Sequence, residues 1–287
     1  MESEGIKSPP PPRPPPLPVL PSPTLRHLAR HWLQEDAGTF DPASALAGTG
    51  VARAQLLCKS RGVLAGLPFA DAVFQELGCE FRALLPEGSR LPAGRTVVAE
   101  VRGPAPALLY GERVALNCLG RCSGVATMAT AAREVARQQG WSGLVAGTRK
   151  TTPGFRLAEK YALRVGGADP HRAGLDGLLL VKDNHVALYG GSMEELVGAA
   201  RAAAGFCRRL SIECRSEAEA FAAALHAAAA ALKASWPRLV VEVSGGVTVE
   251  ALPHFLGPHI DVVSMGALTH SAPALDFALK VLPPGGQ

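Results

Sequence analysis

The stretch A-G-T-R-K-T-T-P-G-F-R, residues 146–156, holds three cations, three threonines and no acid. It follows the apolar run Leu144–Ala146, so it leaves the end of a strand. A solvated loop mixes charge signs; cations and hydroxyls without an acid suit an anion. Further cations are Arg113, Arg172 and Lys182. An arginine fork suits a carboxylate or a phosphate, whereas a lysine acts as a compact charge. Taken singly, each reads equally as a surface residue or an ion-pair partner. For Arg156, three residues from Glu159, the ion pair is the better reading. Lys182 directly follows L-L-L-V, and a lysine ending a buried strand needs an anion beside it or else a depressed pKa.

Glu213 ends L-S-I-E in the same way. It would pair with one of those cations, or face the positive charge on a glycosidic carbon losing its leaving group. His171 beside Arg172 reads as a donor to an anion; His185 reads as either a ligand group or a capping histidine. The turns V-S-G-G-V-T (243–248) and V-S-M-G-A-L-T (263–269) let backbone N–H groups approach a ligand closely, which suits phosphate. The candidate ligand is therefore a polyanion, with one phosphate and further carboxylate or phosphate charge. No His/Cys/Asp set has zinc spacing, and no G-x-S-x-G nucleophile elbow is present.

These residues need a scaffold that collects strand ends. Short apolar runs at Leu144–Ala146, Gly177–Lys182, Leu210–Glu213, Leu239–Val243 and Ile260–Ser264 alternate with helical segments at Met193–Ala204 and Glu217–Ala234. Such alternation implies parallel strands buried on both faces, in a doubly wound sheet or a barrel. The runs end in G-T-R-K, V-K-D-N-H, I-E-C, V-S-G-G and S-M-G. Chemistry repeated at strand ends selects the β/α barrel. The first half differs: Thr24 reads as the N-cap of a helix carrying Leu25, Leu28, Trp32 and Leu33, Phe69–Leu77 and Glu112–Cys122 read as helices, and Thr96–Arg102 as a strand. That half is an α+β module over residues 24–122, followed by a barrel over 123–273.

Residues 8–23 contain ten prolines, which favour polyproline II and break up any apolar signal region. A disordered leader over residues 1–23 is the expectation; an SH3 ligand fails because Val19 falls where R-x-x-P-x-x-P needs proline. A composition of 47% apolar and 19% charged residues is that of a folded soluble protein. Net charge +4, three Trp and three Tyr argue against nucleic acid, and the apolar tract Phe221–Ala231 is too short for a membrane span. Cys58, Cys79, Cys118, Cys122, Cys207 and Cys214 form no C-x-x-C pair and read as reduced thiols, which places the chain in the cytosol.

In order, G-E-R-V-A-L-N (111–117), the 146–156 loop, H-R, V-K-D-N-H, I-E-C, S-G-G and S-M-G resemble quinolinate phosphoribosyltransferase, as do K-S-R-G-V-L-A-G (59–66) and L-P-E-G-S (85–89). The likeness runs from about Leu25 to Leu279. It implies the type II phosphoribosyltransferase fold: an N-terminal α+β sandwich domain, then a parallel β/α barrel, with residues 274–287 returning to the N-terminal domain. The implied reaction joins quinolinate and phosphoribosyl pyrophosphate, with magnesium, giving nicotinate mononucleotide, pyrophosphate and carbon dioxide in NAD synthesis. By family position, Arg149 and Arg172, with His171 nearby, hold quinolinate. Lys150 and Lys182 hold phosphoribosyl pyrophosphate, and Thr151 joins the substrate pocket. Ser244, Gly245, Gly246 and Gly266 cradle the 5′-phosphate. Glu213 stabilises the ribose cation and is a candidate magnesium ligand. Arg113 matches an arginine contributed by the neighbouring subunit, which implies a homodimer or larger even assembly.

One departure stands out. Only thirty residues, 214–243, separate Glu213 from Ser244, and they read as one helix and one strand without an L-D-N. The family has a further strand there, whose aspartate faces the ribose and magnesium. The barrel is thus expected to be incomplete, with poor folding or much reduced activity. Two other readings stand beside transferase activity: a non-catalytic subunit of a full-length homologue, and a Schiff-base lyase using Lys182.

Overall fold

Helix α1 (Ser22–Asp36) is the first helix of this computed structural model, which describes residues 17–37, 44–175, 178–205, 210–212, 226, 229–230, 233–234 and 237–283. The helix starts two residues before the expected Thr24. Pro21 is its N-cap and Pro23 lies in its first turn, where a missing N–H loses no hydrogen bond.

Strands β1 (Val51–Cys58) and β2 (Gly62–Val63) precede helix α2 (Leu67–Glu76). Next come β3 (Glu80–Ala83), β4 (Arg90–Leu91) and β5 (Thr96–Pro104). Helix α3 (Ala105–Gln138) follows, then β6 (Leu144–Ala146), α4 (Arg156–Val165) and β7 (Leu179–Val181). Helices α5 (Asp183–Tyr189) and α6 (Met193–Ala204) lead to β8 (Leu210–Ile212), β9 (Glu242–Ser244), β10 (Val262–Ser264) and β11 (Phe277–Val281).

The first half builds a four-stranded antiparallel sheet in the order β11–β1–β5–β3, so the end of the chain pairs with its beginning. Leu56, Val98 and Val101 of this sheet pack with Phe74, Leu108 and Leu119 of α2 and α3. Helix α3, 34 residues and about 51 Å long at 1.5 Å per residue, runs unbroken through residues 122–123. Its early turns meet the sheet, while Val125, Ala126 and Ala129 join a second core with Val145, Leu163 and Val263. Small residues permit this double contact: a Cβ at Gly124 would run into the Pro273 carbonyl.

The second half is parallel. β10 lies between β6 and β9, with Ser264 level with Ala146 and with Ser244. A parallel bridge joins Ala146 to Asp169, and β7 pairs with β8 in a separate two-stranded sheet. The described parallel strands thus form two short sheets. β9 begins at Glu242, three residues later than the apolar pattern predicts, because Leu239 and Val240 are exposed rather than strand core. β6 and α6 coincide with the expected spans. Ser192 and Glu195 close a capping box at the start of α6, with bonds of 2.8 and 3.2 Å.

Among the described residues no helix is long and apolar enough to cross a membrane. Cys58, Cys79, Cys118 and Cys122 are free and buried, and burial pushes all four thiols upward in pKa; Cys207 and Cys214 lie outside the described residues.

Candidate active site

The alignment of Ala146, Ser244 and Ser264 brings the loops after β6, β9 and β10 to one edge. There they enclose a cavity of about 450 Å³, walled also by the His171–Arg172 turn and by Lys182. Of the residues singled out by sequence, Arg149, Lys150, His171, Arg172, Lys182, Ser244, Gly245, Gly246 and Gly266 all line it. Thr151 does not. Its hydroxyl accepts from Arg156 Nε at 2.9 Å and braces the loop instead. Arg113 lies on α3 in a separate concavity with Asn117, Gly120 and Asp276, so its own chain does not bring it to the cavity. Glu213 lies outside the described residues.

Each wall has a local cause. Gly245 and Gly246 have φ of +100° and +64°, so the turn after β9 needs glycine twice in succession. Gly266 lets the Lys150 side chain pass close by, since a Cβ there would lie 2.9 Å from Lys150 Cδ and displace it. Lys150 is tied across the site: its carbonyl accepts from Thr269 Oγ1 at 2.6 Å. The fully buried Glu159 accepts from Arg121 Nε and from Thr152 Oγ1, both at 2.8 Å, and Arg121 also donates to the carbonyls of Ala272 and Thr269. This ion pair fastens the loop before α4 to the loop after β10. It also corrects the Arg156–Glu159 pairing read from spacing. Glu159 faces inward to α3, while Arg156 turns back to Thr151 and to the Ala173 carbonyl at 3.0 Å.

The electrostatics favour an anion. Arg149, Lys150, Arg172 and Lys182 line the cavity, against one carboxylate among the described lining residues, Glu242. Arg149 Nε is buried and finds no hydrogen-bond partner among the described residues. Such a donor is costly unless a ligand accepts from it. Arg172 is buried and donates to the Leu178 carbonyl at 3.0 Å. Its pKa is lowered by burial and then by the charge of Arg149, with Glu242 opposing. Two crowded guanidinium groups are what a ligand with two negative charges would relieve.

His171 is held unusually. With φ of +56° it is the single non-glycine residue of positive φ among the described residues, a conformation that costs about 1–3 kcal/mol unless its surroundings impose it. Its N–H donates to Asp169 Oδ1 at 2.6 Å, and Lys160 Nζ donates to the preceding carbonyl, of Pro170. Its ring Nε2 lies 3.2 Å from Glu242 Oε2. Burial alone would raise the Glu242 carboxyl. Hydrogen bonds from His171 and Ser264, with the charges of His171 and Arg172, outweigh burial and hold it below its ordinary range. His185 takes the capping role: the Lys182 N–H donates to its Nδ1 at 3.0 Å.

Sequence reasoning missed Glu242. The available signal was its place two residues before Ser244 in one strand, which puts both side chains on one face. Arg121 and Glu159 carried no such signal, because 38 residues separate them.

An α+β module followed by parallel β/α units, with a cationic cavity at their strand ends, defines the type II phosphoribosyltransferase fold. Residues 43–123 match the N-terminal domain of quinolinate phosphoribosyl transferase, and residues 125–280 match its C-terminal domain. The chain belongs to this quinolinate phosphoribosyltransferase family. It is 54% identical over 280 residues to the human protein named nicotinate-nucleotide pyrophosphorylase, carboxylating, covering 92% of this chain and 93% of that one. A probable protein of that name from Bacillus subtilis is 38% identical over 275 residues, covering 90% and 93%. The crystal structure of NadC from Streptococcus pyogenes superposes with a TM-score of 0.79 at 35% identity, over 93% of this chain and all of that one.

Proposed function

We infer that this chain transfers the phosphoribosyl group of phosphoribosyl pyrophosphate to the ring nitrogen of quinolinate, with loss of carbon dioxide, in NAD synthesis. The observation that carries the reading is the buried, unpartnered Nε of Arg149 beside Arg172, in a cavity that also holds the Ser244–Gly246 turn. A planar dicarboxylate would answer the two guanidinium forks. Ser244, Gly245, Gly246 and Gly266 receive the 5′-phosphate, and Lys150 and Lys182 receive the pyrophosphate. As the bond from ribose C1′ to pyrophosphate breaks, positive charge develops on the sugar, and the pyridine nitrogen bonds to C1′. The ribosylated ring is cationic and takes up the electron pair left by the departing carboxylate; a proton then replaces that carboxylate. The cavity's contribution is orientation and fixed charge.

Magnesium enters this reading as an ion carried by the pyrophosphate. The described residues contain no cluster of three metal-ligating side chains, and Glu242 is already engaged by His171 and Ser264. No step is assigned to the ion, and Glu213 stays a candidate ligand. Arg113, outward from its own cavity on α3, supports a homodimer or larger even assembly in which it serves the neighbouring site. Free buried thiols support the cytosol. The comparisons lend nothing to the Schiff-base lyase or to the non-catalytic subunit.

Pyrophosphate release from phosphoribosyl pyrophosphate, with and without quinolinate, tests the reading on protein shown to be folded by its circular dichroism. Quinolinate-dependent release with nicotinate mononucleotide as product supports it; release indifferent to quinolinate sinks it. The absent L-D-N segment predicts a rate about 100-fold or more below that of the human relative assayed alongside, the scale of losing one electrostatic stabiliser.

A further inference from the structure

Glu242 is the lone carboxylate among the described residues lining the cavity, and its surroundings give it work that a stray acid would not have. It reaches His171 from a different part of the fold. His171 sits in the turn after the Ala146–Asp169 bridge, whereas Glu242 opens β9. The backbone of His171 is already fixed from its own side, by Asp169 on its N–H and by Lys160 on the Pro170 carbonyl. That grip acts on the backbone; on the imidazole, Glu242 Oε2 lies 3.2 Å from Nε2.

We propose that Glu242 is a positioning residue for quinolinate: it anchors His171 by Nε2, leaving Nδ1 to address a ligand carboxylate. The inference rests on the reading above and deepens it. A carboxylate that accepts from one ring nitrogen decides which nitrogen is left for the ligand. Ser264 of the neighbouring strand β10 hydrogen-bonds to Glu242 in turn, so the carboxylate is held from β10 as well as from the His171 turn. The arrangement assigns Glu242 to the carboxylate end of the site. Ser244 and the glycines after it, on the same strand, serve the phosphate end.

Calorimetric binding of quinolinate and, separately, of phosphoribosyl pyrophosphate tests this with wild type, E242A, E242Q, H171A and E242A/H171A. E242A is expected to weaken quinolinate about 10-fold or more, the scale of a hydrogen bond to a charged group, and to leave phosphoribosyl pyrophosphate within about twofold. E242Q keeps an acceptor for Nε2–H and should recover part of the loss. In the H171A background, E242A should add less than about threefold, because the two residues act as one unit. Equal weakening of both ligands, or a full E242A effect without His171, overturns the proposal. Should E242A fail to fold, E242Q decides: a quinolinate-selective loss supports the proposal, and no loss or an equal one overturns it. A wild-type chain that binds no quinolinate sinks the functional reading and this inference with it, an outcome distinct from normal wild-type binding that the Glu242 variants leave unchanged.

Discussion

The two halves of the molecule are built from similar residues and organised differently. In the first, four antiparallel strands form one continuous sheet, and two helices cover it with a core that includes Phe74, Leu56 and Leu108. In the second, the described parallel strands divide into sheets of three and two, and the small cluster of Val181, Leu196 and Ala200 beneath β7 and β8 stands apart from the main core. Charged side chains follow the same division. On the first sheet Arg82, Arg102, Glu80 and Glu100 pair at the surface, while Arg149 and Arg172 are crowded together inside the second half. The antiparallel half is dominated by packing; the parallel half gathers cations at its strand ends, with Arg149 Nε lacking a hydrogen-bond partner among the described residues.

Phe69 tests whether the halves are one cooperative unit. It is fully buried, 6.0 Å from Trp32 of α1 and 5.6 Å edge-on to Tyr161 of α4. Phe69→Ala should destabilise by about 3–5 kcal/mol in urea unfolding. A single shifted transition keeps the halves together, whereas two transitions would break the comparison by showing that they melt separately. Arg172→Ala should act on the other side of the contrast, lowering kcat/KM for quinolinate about 100-fold while moving the melting point less than Phe69→Ala does. A comparable loss of stability would mean that Arg172 is scaffold.

Glu87 sits at the seam. It accepts from the N–H groups of Leu67 at 2.6 Å and Gly66 at 3.1 Å, and bonds to Tyr161. Burial pushes its carboxyl up to about 7, against those hydrogen bonds. A raised carboxyl contributes stability that is fully present below its ordinary value of 4.5 and is lost as pH rises through about 7. Denaturation measured from pH 5 to 8 should therefore show wild type losing about 2 kcal/mol, below the conversion of the full shift because solvent still reaches the residue. Glu87→Gln should flatten that decline. The smallest effect belongs to the sheet surface: Arg102→Ala, breaking an exposed 3.4 Å pair with Glu80, should stay within about 0.5 kcal/mol.

Local signals were legible where chemistry and geometry coincide in a few residues. Leu144–Ala146 ends at a glycine, and its bounds and those of the helical segment Met193–Ala204 agree between sequence and structure. The cations and glycine turns that come together around the cavity are legible for the same reason. The start of α1 was misplaced because Pro23 looks like a breaker while serving as a first-turn residue. β9 was drawn too early because apolar character alone does not tell exposed Leu239 and Val240 from buried strand. Partnerships across the chain were the least legible. Glu159 was assigned to its neighbour Arg156 and belongs to Arg121, and Glu242 passed unnoticed beside the glycines it precedes.

The aromatic contacts have a practical consequence. Phe155 closes the cation-rich loop, and its ring lies 5.0 Å from that of Trp32 at a tilt of 45°, with the Phe69 ring 6.0 Å from the same indole. The indole of α1 thus lies against Phe155 at the end of the cation-rich loop, so a change in Trp32 emission on adding ligand, read with the other tryptophans replaced, would report a change in that loop's packing.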